Sequence, residues 1–419
     1  MRTPDYTAFQ HGNETRPVRL AYVVSHPIQY QAPLLRRIAQ EPDIALTVLF
    51  GSDFSVRGYK DAGFGVEVNW DVPLLEGYKS EFLPALRDNG TVSMTSPISH
   101  GIYRHLQNAD GSPAFDALWV HGYASINALQ AILAAKMLGI PVLLRAEGWL
   151  GDRERSGWKL ALKRLFFSAL RGCIDATLPI GQFNAEYWRH YFGDAVPQFP
   201  MPYAVDNDWF AQRVEAAAQQ AEALRTELRL EPGRSVVLFA SKLQARKHAD
   251  HLVAAYARFT ATCAPEKSPY LVIVGDGEER PRLEAECQKL ELQHVRFAGF
   301  RNQTELPVFF RLANVFVLPS RHEPWGLIVN EAMASGRAVI VSSDVGSHAD
   351  LVTDGVQGCV YPVGDVEALM HALSRVLTPP GASRAMGDAA RERMKTWSFE
   401  EDVRGLRAAL AYTTGKLTP

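Results

Sequence analysis

The segment Ser320-Arg321-His322-Glu323-Pro324-Trp325-Gly326-Leu327-Ile328-Val329-Asn330-Glu331-Ala332-Met333-Ala334-Ser335-Gly336 decides how this chain is read. It follows an apolar run, Ala313 to Pro319 (ANVFVLP), whose length and proline stop fit a short buried strand. Pro324 suits the first position of a helix, where its missing N–H would be unpaired anyway, and Gly336 supplies a left-handed stop. A helix opening here leaves the amides of Gly326, Leu327 and Ile328 without acceptors, with the positive end of the helix dipole behind them, and such a terminus binds phosphate. Gly326 has no side chain to hold an anion off the backbone. Glu331 falls roughly 5 to 8 Å further along at about 1.5 Å per residue, a gap that a ribose fills, while Glu323 stands on the other side. The interval between the two acids is not enough by itself, since Glu278/Glu286 and Glu392/Glu400 repeat it without comparable surroundings. The whole string carries the weight.

Outward from this segment the chain alternates strand-like and helical patterns. Leu20 to Val24, a helix near Ala32 to Gln40, and Ile44 to Phe50 open the series; Ala117 to Val120, a helix over Ser125 to Leu138, and Pro141 to Leu144 continue it. A second alternation starts at Val236. The Pro-rich stretch Pro197 to Tyr203 and a helical Ala/Gln/Glu-rich segment, Val214 to Leu230, join the two, so two parallel-sheet lobes are expected. In open α/β sheets ligands bind beyond the carboxyl ends of the strands, which places a site where two such lobes face each other.

The string Ser-Arg-x-Glu-Pro-Trp-Gly-Leu-x-x-x-Glu-Ala-Met-Ala-x-Gly resembles the donor signature of retaining glycosyltransferases of family 4, which have the GT-B fold. The likeness extends through Val236 to Leu243 (VVLFASKL) with Ala245-Arg246-Lys247, Leu271 to Glu278 (LVIVGDGE), Val295 to Gly299, Ala338 to Asp344, Gly355 to Gly358 and Gly364-Asp365, in the family's order. The fold expectation is therefore α/β: two Rossmann-like domains facing a central cleft. A tail at residues 1–16 would precede an acceptor-side domain at 17–205, a donor domain would span 206–392, and a C-terminal helix at 393–419 would cross back to the first domain. Ala389 to Tyr412, containing Trp397-Ser398-Phe399, reads as that helix.

Composition bounds the alternatives. At 419 residues two domains are expected, and 47% hydrophobic with 21% charged residues is ordinary for a globular protein. A net charge of -2 argues against nucleic acid, whose phosphate backbone demands a basic excess. The cysteines Cys173, Cys263, Cys287 and Cys359 lack zinc-type spacing and read as reduced, structural thiols. The first residues, polar and without an apolar core, read as a tail rather than a signal peptide, and Ile126 to Leu144 is broken by Gln130, Lys136, Gly139 and Pro141. The expected location is cytoplasmic or at the inner face of a membrane.

The resemblance implies a nucleoside-diphosphate sugar donor, UDP-, GDP- or ADP-linked, and a saccharide, lipid-linked or small-molecule hydroxyl as acceptor. No metal or cofactor is expected. Lys242 and Lys247 match the family's basic pair on the diphosphate, Lys242 standing where arginine is frequent, which keeps the charge and loses the bidentate fork. Glu331 would bind the ribose and Glu323 the donor sugar's hydroxyls. His121 matches a strand-end histidine that contacts the donor sugar near the reacting centre; neutral, it could bond a hydroxyl or relay the acceptor proton. The implied mechanism is front-face substitution with electrostatic stabilisation of the departing diphosphate. Asp206-Asn207-Asp208 has a metal-binding look, but it falls in the interlobe connection and reads as structural.

The acceptor side is fainter. Ser25-His26-Pro27-Ile28-Gln29-Tyr30-Gln31 follows the first strand where many family members have a glycine-rich loop, so His26, Gln29 and Gln31 become candidates for bonding acceptor or sugar. Arg145 and Glu147 are either a second such group or a structural ion pair. Gly157 to Arg171 (GWKLALKRLFFSALR) is a basic amphipathic helix that either packs on its lobe or touches a membrane. The rival activity within the same fold is a non-hydrolysing sugar-nucleotide epimerase, which needs no acceptor.

Overall fold

Twelve strands carry the architecture. The first lobe holds β1 (Val18–Val24), β2 (Ile44–Phe50), β3 (Lys79–Phe82), β4 (Ala117–His121), β5 (Val142–Arg145) and β6 (Ala176–Thr177). The second holds β7 (Val236–Ala240), β8 (Tyr270–Val274), β9 (Val295–Gly299), β10 (Val315–Leu318), β11 (Ala338–Ser342) and β12 (Gly358–Tyr361). This computed structural model of the chain describes residues 16–61, 63–151 and 156–417. Most of the expected tail at 1–16 lies outside the described residues.

Each lobe is built on one six-stranded parallel sheet, ordered β6-β5-β4-β1-β2-β3 and β9-β8-β7-β10-β11-β12, and the first lobe adds two short antiparallel ribbons. Both are the doubly wound Rossmann arrangement, with the order reversing between β1 and β4 and again between β7 and β10. The central strands are buried on both faces, which is why VVLFA, YLVIV, VFVL and AVIVS read as unbroken apolar runs instead of alternating ones. Helices cover both faces of each sheet, giving four apolar clusters, two per lobe. Cys287 and Cys359 are buried, Cys173 and Cys263 half-buried, and all four are free thiols.

The C-terminal residues form two helices where the sequence suggested one. Ala382–Met394 ends before Trp397, and Ser398 opens Phe399–Thr414 with a reciprocal cap shared with Glu401. The final helix lies on the first lobe. Val403, Leu406, Ala409 and Leu410 join the core under β1, and Arg407 reaches Glu41 at 2.8 Å and Asp43 at 2.7 Å. Gly405 is obligatory there, because a Cβ would stand 1.8 Å from the Pro200 carbonyl oxygen. Likewise Val214 to Leu230 is split between the helices Asn207–Ala216 and Ala218–Glu227.

The lobes touch on both sides of the cleft. A first-lobe excursion brings Asp61 to Lys242, Phe64 edge-on to Phe300 at 4.8 Å, and Asp71 to the amide and hydroxyl of Thr304. On the other side the amide of Gln182 donates to Asp350, and Phe183 packs on His348.

Candidate functional site

The loop after β10 does not enter its helix at Pro324. Glu323 forms a parallel bridge with Val345: its amide donates to the Asp344 carbonyl, and its own carbonyl accepts from Gly346. Those bonds hold Glu323 against the loop after β11, and with the left-handed Gly326 (φ 84°) following, the helix runs only over Ile328–Ala334. Gly326 is confined by space as well as by φ, since a Cβ would stand 2.9 Å from Leu318 and 3.0 Å from Val345. The amides of Gly326, Leu327 and Ile328 have no acceptor among the described residues. Gly336 has the expected left-handed φ, 68°.

Because the helix starts four residues later than the sequence suggested, Glu331 sits in its first turn and is buried. No group among the described residues donates to its carboxylate, and Oε2 is sealed from solvent. Burial without a partner pushes its pKa up to about 8. Glu323 is also buried, yet Lys247 donates to its Oε2 and Arg246 reaches the same oxygen at 3.0 Å. Burial alone would raise the Glu323 pKa; the two cations outweigh it and hold it below the ordinary carboxylate value.

Lys242 and Lys247 both come from the loop after β7, where a short 3-10 turn, Ala245–Lys247, points Lys247 inward. Each ammonium has a carboxylate partner: Lys247 has Glu323, and Lys242 has both oxygens of Asp61 at 2.8 Å with the Phe64 ring 4.8 Å away. The turn closes on His248, which adopts a left-handed φ of 49°. His248, Asp250 and His251 are a group among the described residues that could gather round a cation, but Arg282 occupies Asp250 at 3.1 Å and the two imidazoles stack at 4.2 Å.

In the first lobe His121 ends β4 and is pushed by burial to a pKa of about 3, so it is neutral at physiological pH. Tyr22 donates to Gln31 Oε1 at 2.6 Å, and that orients the Gln31 amide nitrogen to Nε2 of His121 at 3.3 Å. With Nε2 accepting, the proton resides on Nδ1, which is buried and has no partner among the described residues. Glu147 accepts from Tyr203 at 2.6 Å and from Tyr30 at 3.1 Å, and Tyr203 also lies 3.4 Å from His121. His26 stacks on Phe54 and bonds Ser25; burial lowers its pKa to about 4. Gln29 lines a small cavity with Tyr30, Trp209 and Phe399.

Two of the acceptor-side candidates are corrected. Arg145 does not pair with Glu147 or face the cleft: its Nη2 donates to the carbonyls of Met201 (2.8 Å) and Pro202 (3.0 Å) and to Asp402 (2.9 Å), under the Tyr203 ring at 4.8 Å. It ties the end of β5 to the interlobe connection and the last helix. Gln31 is spent on Tyr22 and His121 and positions the imidazole. Asp206 caps Asn207–Ala216 by accepting from the Trp209 amide, the structural role expected of it. Arg246, Asp61, Tyr30 and Tyr203 were not read from the sequence as site residues. Arg246 could have been, as the cation beside Lys247; the others stand in segments without a signature.

A sequence profile described as "Glycosyl transferases group 1" matches residues 220–393. The alpha-maltose-1-phosphate synthase of Mycolicibacterium smegmatis is 34% identical over 308 residues, 65% of this chain and 73% of the relative. This chain belongs to the group 1 glycosyltransferases. The D-inositol 3-phosphate glycosyltransferase of Kribbella flavida is 32% identical over 218 residues, and that alignment spans half of each protein, 50% of this chain and 50% of the relative. Among solved structures, Anabaena HepE in complex with UDP and glucose superposes with a TM-score of 0.70 at 17% identity, covering 94% of this chain and 100% of that one. The sucrose-phosphate synthase of Thermosynechococcus elongatus gives 0.66 at 21% identity, covering 94% and 98%. At these identities the structural likeness establishes the GT-B fold. The group 1 match takes in the segments of the second lobe that hold Lys242, Lys247, Glu323 and Glu331.

Proposed function

We propose that this glycosyltransferase transfers a hexose from a nucleoside-diphosphate sugar to a hydroxyl acceptor with retention of anomeric configuration. The observation that carries the reading is Glu331: a buried carboxylate with no donor among the described residues, beside three amides with no acceptor among them. A buried acceptor without a donor costs stability unless a ligand satisfies it, and the half-buried amides beside it are free to bind the same ligand. A ribose diphosphate does so, its hydroxyls donating to Glu331 and its phosphate oxygens accepting from Gly326, Leu327 and Ile328.

In this reading Lys247 and Lys242 exchange their carboxylate partners for the diphosphate. Glu323, released from Lys247 and still beside Arg246, takes hydroxyls of the donor sugar. The bond from the anomeric carbon to the phosphate oxygen breaks as the acceptor oxygen attacks from the same face, and the acceptor proton passes to the departing phosphate. The lysines and amides stabilise the charge that grows there. His121, donating through Nδ1–H, orients a sugar hydroxyl, and Glu147 receives a hydrogen bond from a hydroxyl of the acceptor.

Thermal-shift screening against UDP, GDP, ADP and their sugars tests the donor assignment, because a ligand selective for the native state raises apparent stability. One nucleotide series should raise Tm clearly above the others; no shift with any of them refutes the reading. Proton NMR of the product of the selected donor then reports the anomer.

A further inference from the structure

The helix Gly157–Arg171 buries only Phe167 and Leu170 among its fifteen residues. Trp158 is 64% exposed, Leu162 57% and Leu165 68%. At about 100° per residue these three fall within roughly 60° of one another, on the side of the helix opposite Phe167 and Leu170. The helix therefore has two apolar faces, one spent on the core and one turned outward. Between Gly157 and Arg171 there is no acidic residue and there are four cations. Lys163 turns inward, its ammonium 4.6 Å from the Tyr187 ring. Lys159 lies about 60° beyond one edge of the stripe, and Arg164 and Arg171 about 100° and 120° beyond the other, at the two margins of the exposed face; none of the three has a carboxylate partner among the described residues. Leu133 and Met137, on the helix Ile126–Met137 that packs against the same face of the first sheet, are also exposed.

We infer that this face docks on an anionic lipid surface. A stripe of tryptophan and leucine with cations at both margins of the exposed face and no acid on the helix has the chemistry of an interfacial helix: the apolar residues enter the acyl boundary and the long cationic side chains reach round to anionic headgroups. A polar protein partner would leave the stripe in contact with polar groups, and a purely apolar partner would leave Lys159, Arg164 and Arg171 without counter-charge. No helix among the described residues is long and apolar enough to cross a membrane, so the contact is one of lying on the surface. The inward face ties the docking helix to the cleft, since Tyr123, two residues beyond His121, packs its ring on Phe167 at 4.9 Å. The inference does not depend on the nucleotide-sugar reading.

Flotation of the full chain with phosphatidylcholine vesicles, with and without phosphatidylglycerol, tests it. The chain should float with the anionic vesicles, remain behind with the neutral ones, and be released by high salt. Leu162→Glu/Leu165→Glu should cut partitioning by about tenfold or more, the scale of removing two leucines from an apolar contact. Lys159→Glu/Arg164→Glu/Arg171→Glu should do the same through charge and serves as the independent variant if the first is misfolded by circular dichroism. Flotation unchanged in both variants, or equal on neutral and anionic vesicles, overturns the inference. So does a concentration-dependent dimer in sedimentation that Leu162→Glu/Leu165→Glu dissolves without any vesicle binding, which would assign the stripe to a second copy of the chain.

Discussion

Glu323 and Glu331 stand on either side of one turn and are in opposite electrostatic states. Glu323 lies over a floor of two cations and stays ionised; Glu331, in the first turn of the following helix, has no partner and is driven toward protonation. The fold has paid the cost of one buried carboxylate with its own residues and left the other open. Buried groups that the protein satisfies are mostly architecture, as Arg145 is, whereas groups left open beside other open groups mark where a ligand completes the structure.

Removing Lys247 should break the contrast most severely. Lys247→Ala leaves Glu323 buried with Arg246 alone, and a loss of about 3 kcal/mol in unfolding free energy is expected, together with a roughly hundredfold fall in kcat/KM if the ammonium also neutralises diphosphate. Denaturant melts and donor kinetics measure the two separately. Glu331→Ala should act on ligand only. Nucleotide affinity should fall roughly tenfold to hundredfold, the range for hydrogen bonds to a charged group, while Tm stays at or above that of the wild type because the lost group had no partner. A large drop in Tm with intact affinity would reverse the two assignments. Asp208→Ala is the smallest expected effect, within about 0.5 kcal/mol, since the side chain is exposed and away from such features.

The same pair separates on pH. Glu331 has a native pKa near 8 against an ordinary 4.5. Between those values the native state keeps a proton that the unfolded chain has given up, so stability falls as pH rises through that window and levels off above it. Glu331→Gln should flatten this part of the profile. A slope from Asp402 remains, because burial, only partly offset by Arg145, raises its pKa from 3.8 to about 7. His121 contributes in the other direction: its depressed pKa means stability is lost as pH falls below about 6.5.

The second lobe was the legible one. Its strands are short apolar runs with glycine or proline at their ends, and those signals survive because both faces of a parallel sheet are buried. The string from Ser320 to Gly336 marked the two carboxylates and the open amides but not the start of their helix. Pro324 is a good helix opener locally, yet the bridge between Glu323 and Val345 outcompetes it, and that is a contact between loops of two strands that no local pattern encodes. The burial of Glu331 follows from that displacement. In the first lobe, His121 could be found as a polar residue ending an apolar strand. The edge strands β3 and β6 could not, because they are short and, in β3, polar. Arg145 was misplaced because its partner, Asp402, is 257 positions away, and Asp61 escaped notice because nothing near it in sequence marks a contact with the other lobe.

The central claim is that the vacant acceptor at Glu331 belongs to a nucleotide's hydroxyls. Titration calorimetry with the nucleoside diphosphate that gives the largest thermal shift, at pH 7 in two buffers of different ionisation enthalpy, tests it directly. Hydroxyls donating to Glu331 favour its ionised form, so binding should release close to one proton from the wild type and none from Glu331→Gln. Binding without proton release, or with the same release in the variant, would contradict the account.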